Sequence, residues 1–262
     1  PYLWMNPVER FVESFREMSL YPWGGSTLFN GVPYGSKNLP YAYLPVLLFI
    51  QLTEPVWVLT IVGVWLASRT VEKKRELIEL FVFWFLIPLL AFIFFRVALY
   101  DNFRQILFII PPIFLLAGVA FEKIKNVKWQ VALIILCLIP SVFGIINLHP
   151  YEYAYYNRFA GNTATRFEND YWITSYREAA EYVNGVASPN ANIWVEGPAH
   201  LFAAFAREDL KIFSWHEVER AENYEYVIAT TRYGLDKQSY LDAEVVYEIK
   251  RGNAVLTVIK KP

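Results

Sequence analysis

Hydrophobic and polar positions follow three different rules along this chain. Near the start, Val8, Phe11, Val12 and Phe15 recur on one helical face while Glu9, Arg10, Glu13, Arg16 and Glu17 take the other. Asn6-Pro7-Val8-Glu9 supplies a start signal, with Asn6 as the cap, Pro7 at the first helical position and Glu9 set to close a capping box. The pattern predicts a helix lying flat on a membrane surface or on the protein. From Tyr21 to Leu39 there is no period, and Gly, Pro and aromatic residues predict an ordered loop with neither helix nor strand.

The second rule is near-continuous apolarity over 41–148. A bilayer core takes about 20 apolar residues of helix. Tyr41 to Ala67, interrupted at Thr53-Glu54-Pro55, is too long for one span and too short for two, which predicts one broken span entered by a shorter helix. Further spans are expected over Leu77–Phe95 with Pro88 inside, from about Ile106 to Phe121 carrying Pro111-Pro112, and from about Trp129 to Leu148. Basic loops around Arg75 and Lys125 alternate with a less basic loop around Asp101. The positive-inside rule assigns the first two to the cytoplasm, and parity then puts 1–40, the Arg96–Gln105 loop and everything after His149 outside. Counting Tyr41–Thr53 as a full span would move 1–40 inside and leave the rest unchanged.

The third rule begins beyond His149. Ser175-Tyr-Arg-Glu178 reads as a capping box for a helix that Asn184-Gly185 ends. Short β-rich runs follow at Ile193–Glu196, Lys211–Trp215, Tyr224–Thr230, Glu244–Ile249 and Ala254–Lys260. A helical stretch over Gly197–Arg207 makes the first strands parallel, and Arg251-Gly252-Asn253 turns the last two into a hairpin. The expected architecture is a multispan α-helical membrane protein of about four transmembrane helices followed by a small extracytoplasmic α/β domain. Its divisions are an extracytoplasmic helix and loop over 1–40, the membrane region over 41–148 and the α/β domain over 149–262.

Composition changes this picture little. Of 262 residues 55% are hydrophobic and 18% aromatic, and the net charge of −1 leaves no basic face for nucleic acid. The lone Cys137 sits in an apolar run, so it forms no internal disulfide and reads as a small packed hydrophobe. The chain opens on Pro1 with no signal peptide, and is expected to be the later part of a longer protein.

Candidate chemistry concentrates where the apolar runs stop. Between Leu148 and Glu181, an aromatic belt (Tyr151, Tyr153, Tyr155, Tyr156, Phe159) meets Arg158, Arg166, Glu168, Asp170 and Arg177. A lipid-borne polar substrate would meet protein in such a stretch. In the short loop, Tyr100-Asp101-Asn102-Phe103-Arg104 offers a guanidinium fork for phosphate and a carboxylate to orient it. Arg96 and Arg104 read equally as snorkelling anchors. Glu168-Asn169-Asp170 could hold a metal, but two carboxylates are a poor set for a hard cation, and loop polarity is the default. Glu152 could act as a general base or simply be solvated at the interface. His149, His200 and His216 are too scattered for a ligand set. No metal and no cofactor is therefore expected, and Trp4, Trp23 and Tyr41–Tyr43 could either stack on sugars or anchor the chain.

Four blocks carry a family resemblance: PYLWMNPVERFVESFREMS, FNGVPYGSKNLPYAYLPV, LYDNFRQILFIIPPIFLLAG, and HPYEYAYYN with RFENDYWITSYREAAEYVN. They resemble prokaryotic glycosyltransferase family 39 proteins, related to dolichyl-phosphate-mannose protein mannosyltransferases within the GT-C superfamily. The likeness covers most of residues 1 to 185 and is carried most specifically by Asp101–Arg104 and His149–Arg177. It implies a membrane enzyme that moves a sugar from a polyprenyl-phosphate donor to an acceptor on the outer face. It further implies Arg104 and Asp101 at the donor phosphate, and Tyr151, Glu152, Tyr156, Arg166 and Asp170 around the acceptor cavity. The family's principal acidic motif lies nearer the amino terminus than any residue here, so the catalytic base stays unassigned and this piece alone is expected to be inactive. The rival expectation is a multispan anchor displaying an α/β domain to an envelope polymer or partner protein. An enzyme requires Arg104 and the 149–177 segment to converge on one cavity opening to lipid; an anchor leaves them scattered. A transporter fits less well, because the apolar runs carry almost no ionisable groups.

Overall fold

The computed structural model describes residues 4–20, 23–69, 72–214 and 223–262. Trp215 and His216 lie outside the described residues, as do parts of the Arg69–Arg75 loop and of the loop beginning at Tyr21. Helix α1 (Pro7–Leu20) forms as its period predicts, with the Asn6 side-chain amide donating to Glu9 at 3.1 Å. Val8, Phe11, Val12 and Phe15 are all exposed, so the apolar face packs on no described part of the protein. The expected loop over 21–39 is instead largely a hairpin, β1 (Ser26–Phe29) and β2 (Val32–Gly35), paired antiparallel. Its turn is Asn30-Gly31, both at positive φ, the pair favoured in a two-residue hairpin turn. The strands are too short for alternation to reveal, which is why periodicity misses them.

Three described helices are long and apolar enough to cross a membrane, and four if the bent pair counts as one span. That pair is α2 (Tyr43–Gln51) and α3 (Glu54–Ala67), bent by 108° at the expected break. The bend frees carbonyls at the end of α2. Asn157 satisfies them, its side-chain amide donating to the Phe49 and Leu52 carbonyls at 2.7 and 2.8 Å, its backbone N–H to that of Ile50. α4 (Glu72–Phe94) contains Pro88; α5 (Ile110–Glu122) follows a 3-10 turn over Arg104–Ile109, starting later than the apolar run because Pro111 and Pro112 favour its first turn. α6 (Val127–Leu148) has no buried residue at all.

α3 meets α5 by small residues. Thr60, Gly63 and Ala67 form the buried stripe of α3, and a Cβ added to Gly63 would lie 1.8 Å from the Leu116 carbonyl oxygen. Thr60 Oγ1 donates to the Ile113 carbonyl at 3.0 Å. Close backbone approach with a hydroxyl crossing between helices suits a medium in which apolar burial supplies no driving force.

The α/β region contains α7 (Tyr176–Val186), β3 (Asn192–Val195), α8 (Ala199–Ala203), β4 (Lys211–Phe213), β5 (Tyr226–Thr230), β6 (Glu244–Arg251) and β7 (Ala254–Lys261). Sheet order is β4-β3-β5-β7-β6, with β3 parallel to both β4 and β5, and β7 antiparallel to β5 and β6, as the turn and crossover signals predict. Ile193, Val195, Ile228 and Ile259 are fully buried against α7 and α8. Two local expectations fail. α7 runs past Asn184-Gly185 to Val186, and Ser175 makes no side-chain cap. Its hydroxyl donates instead to Asp170 and lies 2.7 Å from the Thr257 hydroxyl, while Glu178 pairs with Arg251. The crossover helix is also shorter than expected, five residues rather than most of Gly197–Arg207.

Candidate functional site

The loop between α4 and the 3-10 turn sets Asp101 and Asn102 at φ 55° and 62°, a left-handed conformation that short polar side chains tolerate best. This turns Asp101 inward until only 6% of it is exposed. Its two oxygens then take one guanidinium each: Arg104 Nη2 lies 2.9 Å from Oδ2, and Arg232 Nη2 lies 2.7 Å from Oδ1. Arg232 comes from the turn after β5, and its other arm donates to the Tyr171 carbonyl. Burial pushes the Asp101 carboxyl upward in pKa, and the two guanidiniums pull against that.

Aromatic rings enclose the pair. Arg104 lies 4.9 Å from the Trp172 ring centroid and 5.1 Å from that of Tyr100, which stacks on Trp23 at 4.3 Å. Arg104 Nε, Asn102 Nδ2 and both amide atoms of Gln105 are buried with no hydrogen-bond partner in the protein. Buried donors are ordinarily satisfied, so three unpaired ones within four residues mark a place built to receive acceptors. Beside them a cavity of about 780 Å³ is lined by Trp23, Lys37, Phe95, Arg96, Tyr100 and Gln105 among others. It has an apolar side at the end of α4 and a charged side of Lys37, Arg96 and Glu17.

Glu168 lies beneath this layer, 4% exposed, its Oε1 accepting from the Leu28 N–H at 2.8 Å while Oε2 has no partner. Burial pushes its pKa up to about 7, with Leu28 and Arg232 opposing. Tyr156 joins the two parts, donating to the Glu168 carbonyl at 2.8 Å and reaching Asn102 Oδ1 at 3.2 Å.

The other residues expected to shape an acceptor cavity do not gather there. Tyr151 is buried in the α/β core under the Arg251 guanidinium. Arg166 reaches back to Asn30 and the Ala160 carbonyl, which pins the β1–β2 hairpin. Asp170, with no exposed surface, accepts from Tyr153 and Ser175, and burial raises its pKa against those bonds. None of these three lines a described cavity, because each is drawn into the seam between hairpin, belt and sheet. Glu152 pairs with His149 at 2.8 Å and borders a separate, mainly apolar cavity of about 520 Å³ among α3, α5 and α6. Its own backbone N–H and His149 lower its pKa, as expected of a solvated carboxylate rather than a base held ready. Among the described residues no three or more His, Cys, Asp or Glu side chains cluster as metal ligands.

Arg104 touches the 149–177 segment at Trp172, and the neighbouring Asn102 and Arg232 meet Tyr156 and Tyr171, but no residue of that segment lines the cavity beside Arg104, so the two do not share that cavity. Sequence reasoning missed Arg232. The available signal was its position just past the end of a parallel strand, where side chains reach a common edge. Comparisons of the chain with protein-family models, with curated proteins and with solved structures returned no match.

Proposed function

We propose that this chain is part of an integral membrane glycosyltransferase that draws a sugar from a polyprenyl-phosphate donor, with the α/β region on the outer face of the membrane. The resemblance of Asp101–Arg104 and His149–Arg177 to the glycosyltransferase family 39 pattern supports the reading. The observation that carries it is Arg104: one arm is fixed by Asp101, Nε is buried without a partner, and the residue stands next to a cavity that is apolar toward α4 and carries Lys37 and Arg96, with Glu17, among its lining. A lipid phosphate needs that pairing of cation and apolar wall. In the reaction an acceptor hydroxyl attacks the anomeric carbon, the bond from that carbon to the phosphate oxygen breaks, and the hydroxyl proton passes to a base. No base is assigned among these residues. Arg104 would stabilise charge developing on the departing phosphate, aided by the unpaired amides of Asn102 and Gln105.

A non-enzymatic anchor is the second reading, favoured by the engagement of Tyr151, Arg166 and Asp170 in structural contacts. One experiment separates the two. Radiolabelled sugar transfer from polyprenyl-phosphate donors is measured in membranes carrying the complete gene product, with capture of a photoreactive polyprenyl phosphate measured on the same samples. Transfer that drops about a hundredfold in Arg104→Ala, with capture lost in parallel, supports the enzyme and the phosphate contact. Transfer unchanged by Arg104→Ala removes that residue's role. Neither transfer nor capture in the parent leaves the anchor.

A further inference from the structure

The parallel strands of the α/β region end on a common edge, and besides Arg232 a second group of residues gathers there that takes no part in the chemistry above. The chain leaving β3 passes through α8 to β4 on one side of β3, whereas the chain leaving β5, on the other side of β3, continues through the 232–237 turn toward β6 and β7. Neighbouring strands whose exits diverge in this way leave a crevice between their carboxyl ends, the usual ligand position in sheets of this kind. The crevice is present as a cavity of about 910 Å³. Glu196, Gly197 and His200 follow β3, Ser214 follows β4, and Tyr233 and Gln238 follow β5, all lining it.

Its walls are held in costly conformations. Ile173, a β-branched residue lining the cavity, sits at φ 56°, and Tyr233 on the facing wall sits at φ 59°. A left-handed backbone is unfavourable for such side chains and persists only where its surroundings impose it. The imposing groups are visible. Ile173 is locked by N–H bonds to Asp170 O and from Tyr176, and the turn after Tyr233 is gripped by the buried Lys260 ammonium, which donates to the carbonyls of Asp236 and Ser239, both at 2.7 Å. Gly197, at φ +82°, lets the β3 exit turn away beneath this wall.

The polar groups favour one ligand chemistry. Trp194 Nε1 donates to Glu196 Oε1 at 2.6 Å and so orients the carboxylate, and Gln238 Nε2 donates to the Tyr233 carbonyl at 2.7 Å, which leaves its amide oxygen to accept. Carboxylate and amide oxygens accept hydrogen bonds from hydroxyls; Tyr233, Leu235, Ile173 and Pro198 offer apolar surface to C–H faces. Among the described residues no Lys or Arg lines the cavity, so nothing there recommends a phosphate or other anion. We infer that this crevice binds a neutral saccharide of one or two rings. The inference is independent of the lipid-phosphate reading, whose residues lie on the other side of Tyr233.

The test uses the full chain in nanodiscs, with methyl α-mannoside, maltose and cellobiose as probes, followed by calorimetry and saturation-transfer NMR. At least one probe is expected to bind, weakened about tenfold in Glu196→Gln and measurably in His200→Ala, an exposed position whose truncation spares the fold. Bound probe is also expected to slow amide exchange across 196–200 and 233–239. Absence of binding by all three probes overturns the inference, as does binding that neither variant changes and that protects amides elsewhere. Sugar transfer plays no part in the readout, so failure here leaves the Arg104 reading standing, and the reverse.

Discussion

The helical region and the α/β region spend their apolar residues in opposite ways. In α6, Ile135, Leu136, Phe143 and Ile146 all face outward and nothing is buried, while in the sheet Ile193, Val195, Val227 and Ile228 are fully enclosed. Burying a side chain of that size stabilises a water-soluble fold by about 1.5–3 kcal/mol. α6 forgoes this, as a helix surrounded by lipid would, whereas α2 and α5 do bury Leu44, Leu47, Leu48, Ile113 and Leu116, and to that burial are added close approach at Gly63 of α3 and carbonyls sealed by Asn157. Polar groups are distributed in the opposite sense. Among the described residues Asp101, Glu168 and Asp170 are the most deeply buried carboxylates, and they occupy the seam where the two regions meet. The seam therefore adds buried charge and hydrogen bonds to the apolar contacts of Phe29, Tyr43, Ala160 and Phe167 that cross it.

Removing the charge that joins the regions should have the largest effect. Asp101→Ala leaves the Arg104 and Arg232 guanidiniums without their shared counter-ion, and a loss of about 3–5 kcal/mol is expected in unfolding followed in detergent micelles. An unchanged midpoint would mean that the seam does not depend on this cluster.

Glu168 gives an effect nearly as large, and of opposite sign. Its pKa is raised from 4.5 to about 7 in the folded protein, so the fold binds the extra proton between those values. The contribution is fully present below about pH 4.5 and is lost as pH rises through about 7, on the order of 3 kcal/mol in all. Glu168→Gln keeps an oxygen for the Leu28 N–H and should flatten stability between pH 5 and pH 8, roughly, leaving the variant the more stable at the alkaline end. Parallel pH profiles for parent and variant would rule the account out.

Within the helices, Gly63→Ala drives a methyl group into the Leu116 carbonyl and should cost about 1–3 kcal/mol as α3 and α5 separate. A double-cysteine crosslink between the two helices, slower to form in the variant, would register it. The smallest change is Arg75→Ala. Its partner Glu79 lies at 2.8 Å, but both side chains are largely exposed, and a shift above about 0.5 kcal/mol would be unexpected.

Much of this architecture was legible in the residue order. Apolar run lengths located the helices long enough to cross a membrane and the 108° break at Thr53-Glu54-Pro55, and β-rich runs with Arg251-Gly252-Asn253 located the sheet and its ribbon. The i, i+3 spacing of Asp101 and Arg104 made their ion pair foreseeable. Asn30-Gly31 carried a hairpin signal that lack of alternation in two four-residue strands concealed. Ser175 illustrates the opposite error, a capping pattern overridden because a buried carboxylate offered its hydroxyl a stronger partner.

What the sequence determined by itself is local: where apolarity is continuous, where it alternates, and which turns interrupt it. Periodicity is a property of neighbouring residues, so it survives without knowledge of the fold. Tertiary structure alone decided that Arg232 would meet Asp101 across 131 positions, that Asn157 would seal carbonyls more than 100 residues earlier, and that Glu168 would lose its water. Desolvation and ion pairing depend on which distant segments come into contact. No pattern along the chain encodes that, and here it is what shapes both the Arg104 site and the crevice at the strand ends.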